Sequence, residues 1–443
     1  MSNNNLFSMS SLASDKPGQR KRILLWSDSV TATTGFGIVS KHIAKALYST
    51  GRYDIDQLAI NFFEDFYDRN RYPYNITPAR LGDPKDPYGN QTFLNALQKH
   101  DYDIVLVIND TFVVEKVAGL LDKFRYQKIE SGQKVFRLIY YYPVDCKLLP
   151  QYSTMIKIAD RAVAYTNFAA ESTASIDMMA TDVIYHGTDI QTYHPLDKED
   201  RLACRKKYFG VEDDTFIIVN VNRNSIRKNL ATTILAFSEF RKRVPNSKLY
   251  LHASPVDGTH SNITTDLNIP IKELGLEVNK DILFPHNYDV AKGFPASVLN
   301  QLYNCGDMYM TTHLGEGWGL SVSEAMAAGL PVVAPRSTSM PEILGQKSER
   351  GYLYDCKEKV YIDGSGYRPT GRLEDVLSMM FRCYEDKQHK EVDLQTKIDG
   401  AKEFTKKYSW NNVCKHWVKL FREEEQALQK QIQSPAMVRG VTI

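Results

Sequence analysis

The chain reads as an α/β protein with two doubly wound, Rossmann-like domains facing each other across a cleft. Three observations predict this. Apolar runs of strand length alternate with stretches of helical period; the runs are apolar along their whole length, as in parallel sheets covered on both faces; and the alternation breaks near residue 187 and begins again. A length of 443 residues is roughly three times the ~150-residue prior for one domain, so two sizeable domains fit it.

Residues 1–20 are polar, lack periodicity and end after Pro17-Gly18, which predicts a flexible tail. The first domain is placed at 21–187. It opens with the strand Arg22–Trp26, a Ser/Thr/Gly loop over Ser27–Gly37 and a helix through Ile38–Leu47 whose apolar residues recur at helical spacing. Strands follow at Ile55–Ile60, Ile104–Ile108, Val135–Tyr140 and Val163–Tyr165, with a helix around Phe93–Leu97. Turn residues at His186-Gly187-Thr188-Asp189 and then Pro195 interrupt the rhythm. The second domain, 188–405, has strands at Phe216–Val219, Lys248–His252, Ile282–Phe284, Met308–Met310 and Pro331–Ala334. Helices fall between them at Ala231–Arg243, Pro295–Cys305 and Leu320–Ala328. Residues 406–443 read as a closing amphipathic helix, N-capped by Ser409 and carrying Val413, Trp417 and Leu420-Phe421, with a short tail.

Composition excludes several classes. With 43% hydrophobic and 24% charged residues the chain is neither collagen-like, nor a disulfide scaffold, nor wholly disordered. Lys plus Arg is 55 against 53 for Asp plus Glu, a net charge of +2, so no global field steers it onto nucleic acid or an anionic membrane. The six cysteines form no C-x-x-C pair and no Cys/His cluster at zinc spacing, which predicts a reducing compartment. No run approaches the ~20 apolar residues of a membrane span, and the N-terminus lacks an apolar signal region; the expected location is cytoplasmic. Asp54-Ile-Asp56 and Asp101-Tyr-Asp103 have the letters of a metal-binding Asp-x-Asp, but they sit at strand starts and are expected to be solvated. The basic runs Arg205–Lys207 and Arg241–Arg243 are expected to be solvated helix faces.

The chemistry concentrates in Thr311-Thr-His-Leu-Gly-Glu316-Gly-Trp-Gly-Leu-Ser-Val-Ser-Glu324, which leaves a strand and opens a helix near Leu320. Gly317 and Gly319 permit close backbone approach, and the free N–H groups of a helix start suit a diphosphate. Glu316 and Glu324 can face one ligand from loop and helix without being adjacent, an arrangement fit for sugar or ribose hydroxyls. Val221-Asn-Arg223-Asn-Ser-Ile-Arg-Lys228 follows another strand and precedes another helix.

The Glu316 string resembles the signature of the retaining GT-B glycosyltransferases of family 4. That resemblance implies that Glu316 contacts the transferred sugar, that the backbone of Gly317, Trp318, Gly319 and Leu320 holds sugar and diphosphate, and that Glu324 binds the ribose. Arg223 and Lys228 look like the family's Arg-x4-Lys pair, which clamps the diphosphate and offsets charge on the leaving group. The His186–Asp189 turn resembles the family's entry into its second domain, and Tyr408-Ser-Trp410 the start of its closing helix. Thr33-Thr-Gly35-Phe-Gly37 occupies the place of the family's glycine loop, near the phosphates and acceptor. Where many members carry His-Asp, this chain has Asn109-Asp110, leaving Asp110 as the polar catalytic candidate. Asp145, ending Tyr140-Tyr-Tyr-Pro-Val-Asp145, reads equally as an acceptor-side carboxylate or as a cap or turn residue.

The resemblance therefore implies a retaining hexosyl- or pentosyltransferase. Its co-substrate would be a UDP- or GDP-sugar, with no tightly bound cofactor and no metal requirement. The acceptor stays open among a glycan, a lipid head group, a protein and a hydroxylated base of modified phage-type DNA, so nucleic acid remains among the partners. A non-catalytic protein that binds nucleotide sugars on the same fold is the alternative.

Overall fold

The computed structural model describes residues 20–62, 66–80, 85–257, 265–286, 288, 293–362 and 366–433. Most of the expected 1–20 tail, and the tail after residue 433, lie outside the described residues. The chain divides into two compact units. The first takes the chain up to Tyr142, Gln151–Val163 and the residues from Cys414 onward; the second takes Pro143–Pro150 and Ala164–Val413.

In the first unit β1 (Lys21–Asp28), β2 (Tyr53–Ile60), β3 (Asn75–Pro78), β4 (Ile104–Ile108), β5 (Arg137–Tyr142) and β6 (Arg161–Ala164) lie in the order β3-β2-β1-β4-β5-β6. β1 pairs in parallel with both β2 and β4, matching Ile23 with Ile55 and with Ile104. All five residues of β4 are buried, as expected for a central strand covered on both faces. Chain order reverses between β1 and β4, and open α/β sheets bind ligands outside the carboxyl ends of strands at such a switch.

Residues 414–433 pack on this unit. Trp417 meets Tyr141 edge to face at 4.7 Å and Phe421 meets Tyr53 at 5.7 Å. Buried Glu424 accepts from Arg137 Nε at 2.6 Å and Arg161 Nε at 2.7 Å.

The second unit repeats the plan. β7 (Phe216–Val221), β8 (Ser247–His252), β9 (Ile282–Leu283), β10 (Met308–Met310), β11 (Val332–Pro335) and β12 (Tyr352–Tyr354) lie in the order β9-β8-β7-β10-β11-β12. Every recorded pair is parallel. Alternate residues of β7 serve opposite faces: Ile217 and Val219 enter one apolar cluster, Phe216 and Ile218 the other, as the two-residue period of a strand requires. The switch here falls between β7 and β10. The loops leaving those two strands are the two that the sequence marks for chemistry.

Two expectations about surface charge are corrected. Arg205 is not solvated; it is fully buried, with Nη1 donating to Cys305 O at 2.8 Å and lying 3.1 Å from Asp307. Asp103 is likewise buried, because it accepts from the Arg22 backbone at 2.9 Å and pairs with Lys134 at 2.8 Å. A carboxylate and a guanidinium tolerate burial when hydrogen bonds and counter-charge replace water, and neither partner is visible from local spacing. Arg241 also departs from a solvated face, pairing with Asp281 at 2.8 Å.

Candidate active site

β7 ends at Val221 and the chain turns through Asn222–Asn229, including the short 3-10 turn Ile226–Lys228, into the helix Leu230–Arg241. β10 ends at Met310 and the loop Thr311–Gly319 leads into the helix Leu320–Ala327. The loops are stitched together: Leu314 N donates to Arg227 O at 2.8 Å and Thr312 Oγ1 to Asn229 O at 2.8 Å. Gly319, with φ 102°, and Gly315, with φ 145°, adopt backbone conformations that favour glycine.

Glu316 is buried, and its carboxylate receives Lys228 Nζ in a short ion pair and Arg227 Nη1 at 3.3 Å. Burial alone would raise its pKa. The charges of Lys228 and Arg227, with the Lys228 hydrogen bond, override that and hold the carboxyl well below its usual range. Lys228 is pushed down to about 8 by burial, with Arg227 and Arg223 adding to the shift and Glu316 opposing it.

Two side chains hold the Glu316 backbone. Thr338 Oγ1 accepts from Glu316 N at 3.1 Å, and Ser339 Oγ bridges Glu316 O at 3.0 Å and Trp318 O at 2.7 Å. Thr338 does this from a left-handed backbone, φ 49°, which is uncommon for a β-branched residue. His313 Nδ1 accepts from Gly315 N at 3.1 Å, so a neutral ring carries its proton on Nε2. Burial lowers its pKa to about 3.

The other candidates fall as follows. Glu324 is buried on the helix after the loop, accepting from Tyr303 OH at 2.9 Å. The Trp318 ring is core, 3% exposed and packed on Tyr185 and His186. Arg223 is exposed at the start of the Lys228 turn. Asp145 groups with this second unit, where its carboxylate lies 3.2 Å from Arg227 Nε and 3.3 Å from Arg368 Nη1. Sequence reasoning missed Arg227 and Arg368. The only local signal for Arg227 is its place beside Lys228, and nothing local marks Arg368.

Gly35, Gly37 and Asp110 lie in the first unit, at its own switch. Thr34 caps the helix Gly35–Ser49 by accepting from Gly37 N at 3.1 Å and donates to Asp28. A Cβ at Gly37 would stand 2.7 Å from the carbonyl oxygens of Ser29 and Ala32, so only glycine fits. Asp110 follows β4 and starts the helix Thr111–Glu130. Burial raises the Tyr88 phenol, and the charges of Asp110 and Asp28 raise it further, which marks Asp28 as a second carboxylate there that the sequence reading passed over.

Among the described residues no group of three or more His, Cys, Asp or Glu side chains is arranged to hold a metal ion, and no helix is long and apolar enough to cross a membrane.

Residues 216–361 match the family model described as glycosyl transferases group 1. Among curated relatives, the sulfoquinovosyl transferase of Arabidopsis thaliana is 31% identical over 114 residues, 25% of this chain and 19% of that one. A D-inositol 3-phosphate glycosyltransferase of Corynebacterium kroppenstedtii is 23% identical over 270 residues, 60% of this chain and 53% of its own length. The chain thus spans between a fifth and about half of the length of these relatives. Of solved structures, the sucrose-phosphate synthase of Thermosynechococcus elongatus superposes with a TM-score of 0.69 at 16% identity, covering 92% of this chain and all of that one. Anabaena HepE in complex with UDP-glucose superposes with a TM-score of 0.64 at 17% identity, covering 91% of this chain and all of that one. The fold is therefore the two-domain GT-B architecture.

Proposed function

We propose, from the match of residues 216–361 to the glycosyl transferases group 1 model, that the chain is a glycosyltransferase. It moves a hexosyl or pentosyl group from a UDP- or GDP-sugar to a hydroxyl acceptor, with retention of anomeric configuration. The observation that carries this reading is the Glu316–Lys228–Arg227 cluster at the carboxyl ends of β7 and β10, beside a helix start.

In this mechanism Arg223 and Lys228 clamp the diphosphate, with the backbone of Gly317–Leu320 as further hydrogen-bond donors. Lys228, now neutralised by Glu316, turns to the phosphates when the nucleotide sugar enters, and the released carboxylate accepts from a sugar hydroxyl. Glu324 accepts from the ribose. As the anomeric C–O bond breaks, negative charge grows on the diphosphate, and preorganised cations there stabilise the transition state more than the ground state. A divalent ion is not required in that role.

The acceptor attacks on the face the diphosphate leaves, and the diphosphate takes its proton. The first domain, 21–187, binds the acceptor, with Asp110 as its polar group, and the second, 188–405, binds the nucleotide sugar. A cytoplasmic location is part of this reading.

The test is a panel of UDP-, GDP- and ADP-sugars scored by the rise in melting temperature, followed by NMR of the first-formed product with and without EDTA. Stabilisation by one sugar nucleotide and an unchanged anomeric configuration are expected. No stabilisation by any of them, or an inverted centre, overturns the reading. Binding without turnover on glycan, lipid, protein and modified-DNA acceptors would leave a nucleotide-sugar-binding protein instead.

A further inference from the structure

We propose that Arg368 and Asp145 are positioning residues of the sugar-binding site, holding Arg227 in place against Gly315 and Glu316. Arg368 stands on the antiparallel hairpin formed by Glu358–Tyr361 and Tyr367–Thr370, and its side chain is 4% exposed. Its Nη1 lies 3.1 Å from the carbonyl oxygen of Asp145 and 3.3 Å from the carboxylate. The same carboxylate takes Arg227 Nε at 3.2 Å. Arg227 Nη1 in turn donates to Gly315 O at 2.5 Å and reaches Glu316 at 3.3 Å. Charges therefore alternate from the hairpin to the loop: Arg368, Asp145, Arg227, Glu316.

The backbones are interlocked as tightly as the side chains. A Cβ at Gly315 would stand 1.8 Å from Asp145 O, and one at Gly317 would stand 2.8 Å from Pro143 Cβ. The segment around Asp145 thus forms one wall of the Glu316 loop, and Arg368 fastens that wall from behind.

Burying a guanidinium is costly unless its partners are well placed, and here the partner is the residue that holds Arg227. The consequence concerns the two cations on Glu316. Lys228 has no second carboxylate partner recorded among the described residues, so it is free to turn to an incoming diphosphate. Arg227 is shared between Glu316 and Asp145, so it stays. When Lys228 leaves, Arg227 keeps Glu316 ionised and aimed at the sugar.

This assignment rests on the glycosyltransferase reading, and the experiment separates the two. Wild type, Arg368→Met, Arg368→Lys and Asp145→Asn are compared as full-length proteins. Calorimetry measures the affinity of each for UDP, GDP and ADP, and for the nucleotide sugar that most stabilises the wild type; kcat and KM are measured with that sugar. Arg368→Met and Asp145→Asn are expected to bind the bare nucleoside diphosphate within about twofold of wild type. They should lose tenfold or more of the extra affinity the sugar provides, with a fall in kcat, and Arg368→Lys should recover part of both.

Variants that match wild type with the sugar overturn the assignment. So does a loss of nucleotide and sugar affinity in equal proportion, which would mark a merely structural role, and so does a wild type in which the sugar adds no affinity. A wild type that binds none of the three nucleotides overturns the reading beneath it as well. Asp145→Asn keeps the side-chain shape, so the test survives if Arg368→Met fails to fold.

Discussion

Lys228 and Glu316 illustrate how a single residue's environment sets its chemistry. The ammonium of Lys228 is pushed down to about 8 because burial and the neighbouring charges of Arg227 and Arg223 outweigh the pull of Glu316. A lysine serves an anionic diphosphate only while protonated, which holds below that value and fails as pH rises through it. Affinity for a nucleoside diphosphate is therefore expected to be steady from about pH 6 to 7 and to fall above about 8, measured by calorimetry in buffers of constant ionic strength. Removing the cation outright should be more severe. Lys228→Ala and Arg223→Ala should each cost on the order of 10²-fold in kcat, about 3 kcal/mol of transition-state stabilisation. Glu316→Ala should lower both affinity and kcat, whereas Glu324→Ala should act on affinity, because its proposed ribose contact is remote from the reacting carbon. Steady-state kinetics with the cognate sugar nucleotide separates these outcomes.

The loop Thr311–Gly319 owes its shape to neighbours on three other segments rather than to its own sequence. Gly315 is the tightest point: its φ of 145° is a backbone conformation that L side chains rarely adopt, and any Cβ would run into the Asp145 carbonyl. Gly315→Ala should therefore displace the loop from that wall. The expected outcome is a melting temperature lowered by several degrees, consistent with a loss of roughly 2 kcal/mol or more, and binding of the nucleotide sugar weakened beyond that of the bare nucleotide. Thr338 poses a finer balance. Glycine there would relieve a left-handed threonine, but it would add chain entropy to the unfolded state and delete the hydrogen bond to Glu316 N. The relief is worth about 1 kcal/mol and the two losses about 1 kcal/mol each, so Thr338→Gly should lower the melting temperature by a few degrees, for a net loss of about 1 kcal/mol, while sugar affinity drops.

The two units answer to different perturbations because they have separate cores. Glu316, Lys228, Glu324 and the Gly317–Leu320 backbone all belong to the second unit, whereas Trp417 is buried in the first. Differential scanning calorimetry should accordingly show that a nucleoside diphosphate at 100 times its Kd stabilises the transition of the second unit by about 2.7 kcal/mol. Trp417→Ala, which removes a fully buried indole from its contact with Tyr141, should cost about 3–5 kcal/mol and lower the transition of the first unit. A single transition shifted equally by both would mean that the units unfold as one.

Strand and helix alternation, the restart of the pattern and the Gly317–Gly319 helix start were legible because they depend on residues close in the chain: periodicity, turn chemistry and the conformational freedom of glycine act over a few positions. Glu316 and Lys228 were legible for the same reason, each sitting in a short loop after a strand. Arg227, Arg368 and the partners of Asp145 were not, since an arginine in a polar loop or a hairpin looks like any solvated cation until the fold brings a carboxylate to it. Arg205 and Asp103 misled for that reason too. The order of strands decided the rest. By reversing between β7 and β10 it set two distant loops side by side, so that counter-charges far apart in the chain replace water around a buried carboxylate, and that pairing depends on three-dimensional position alone.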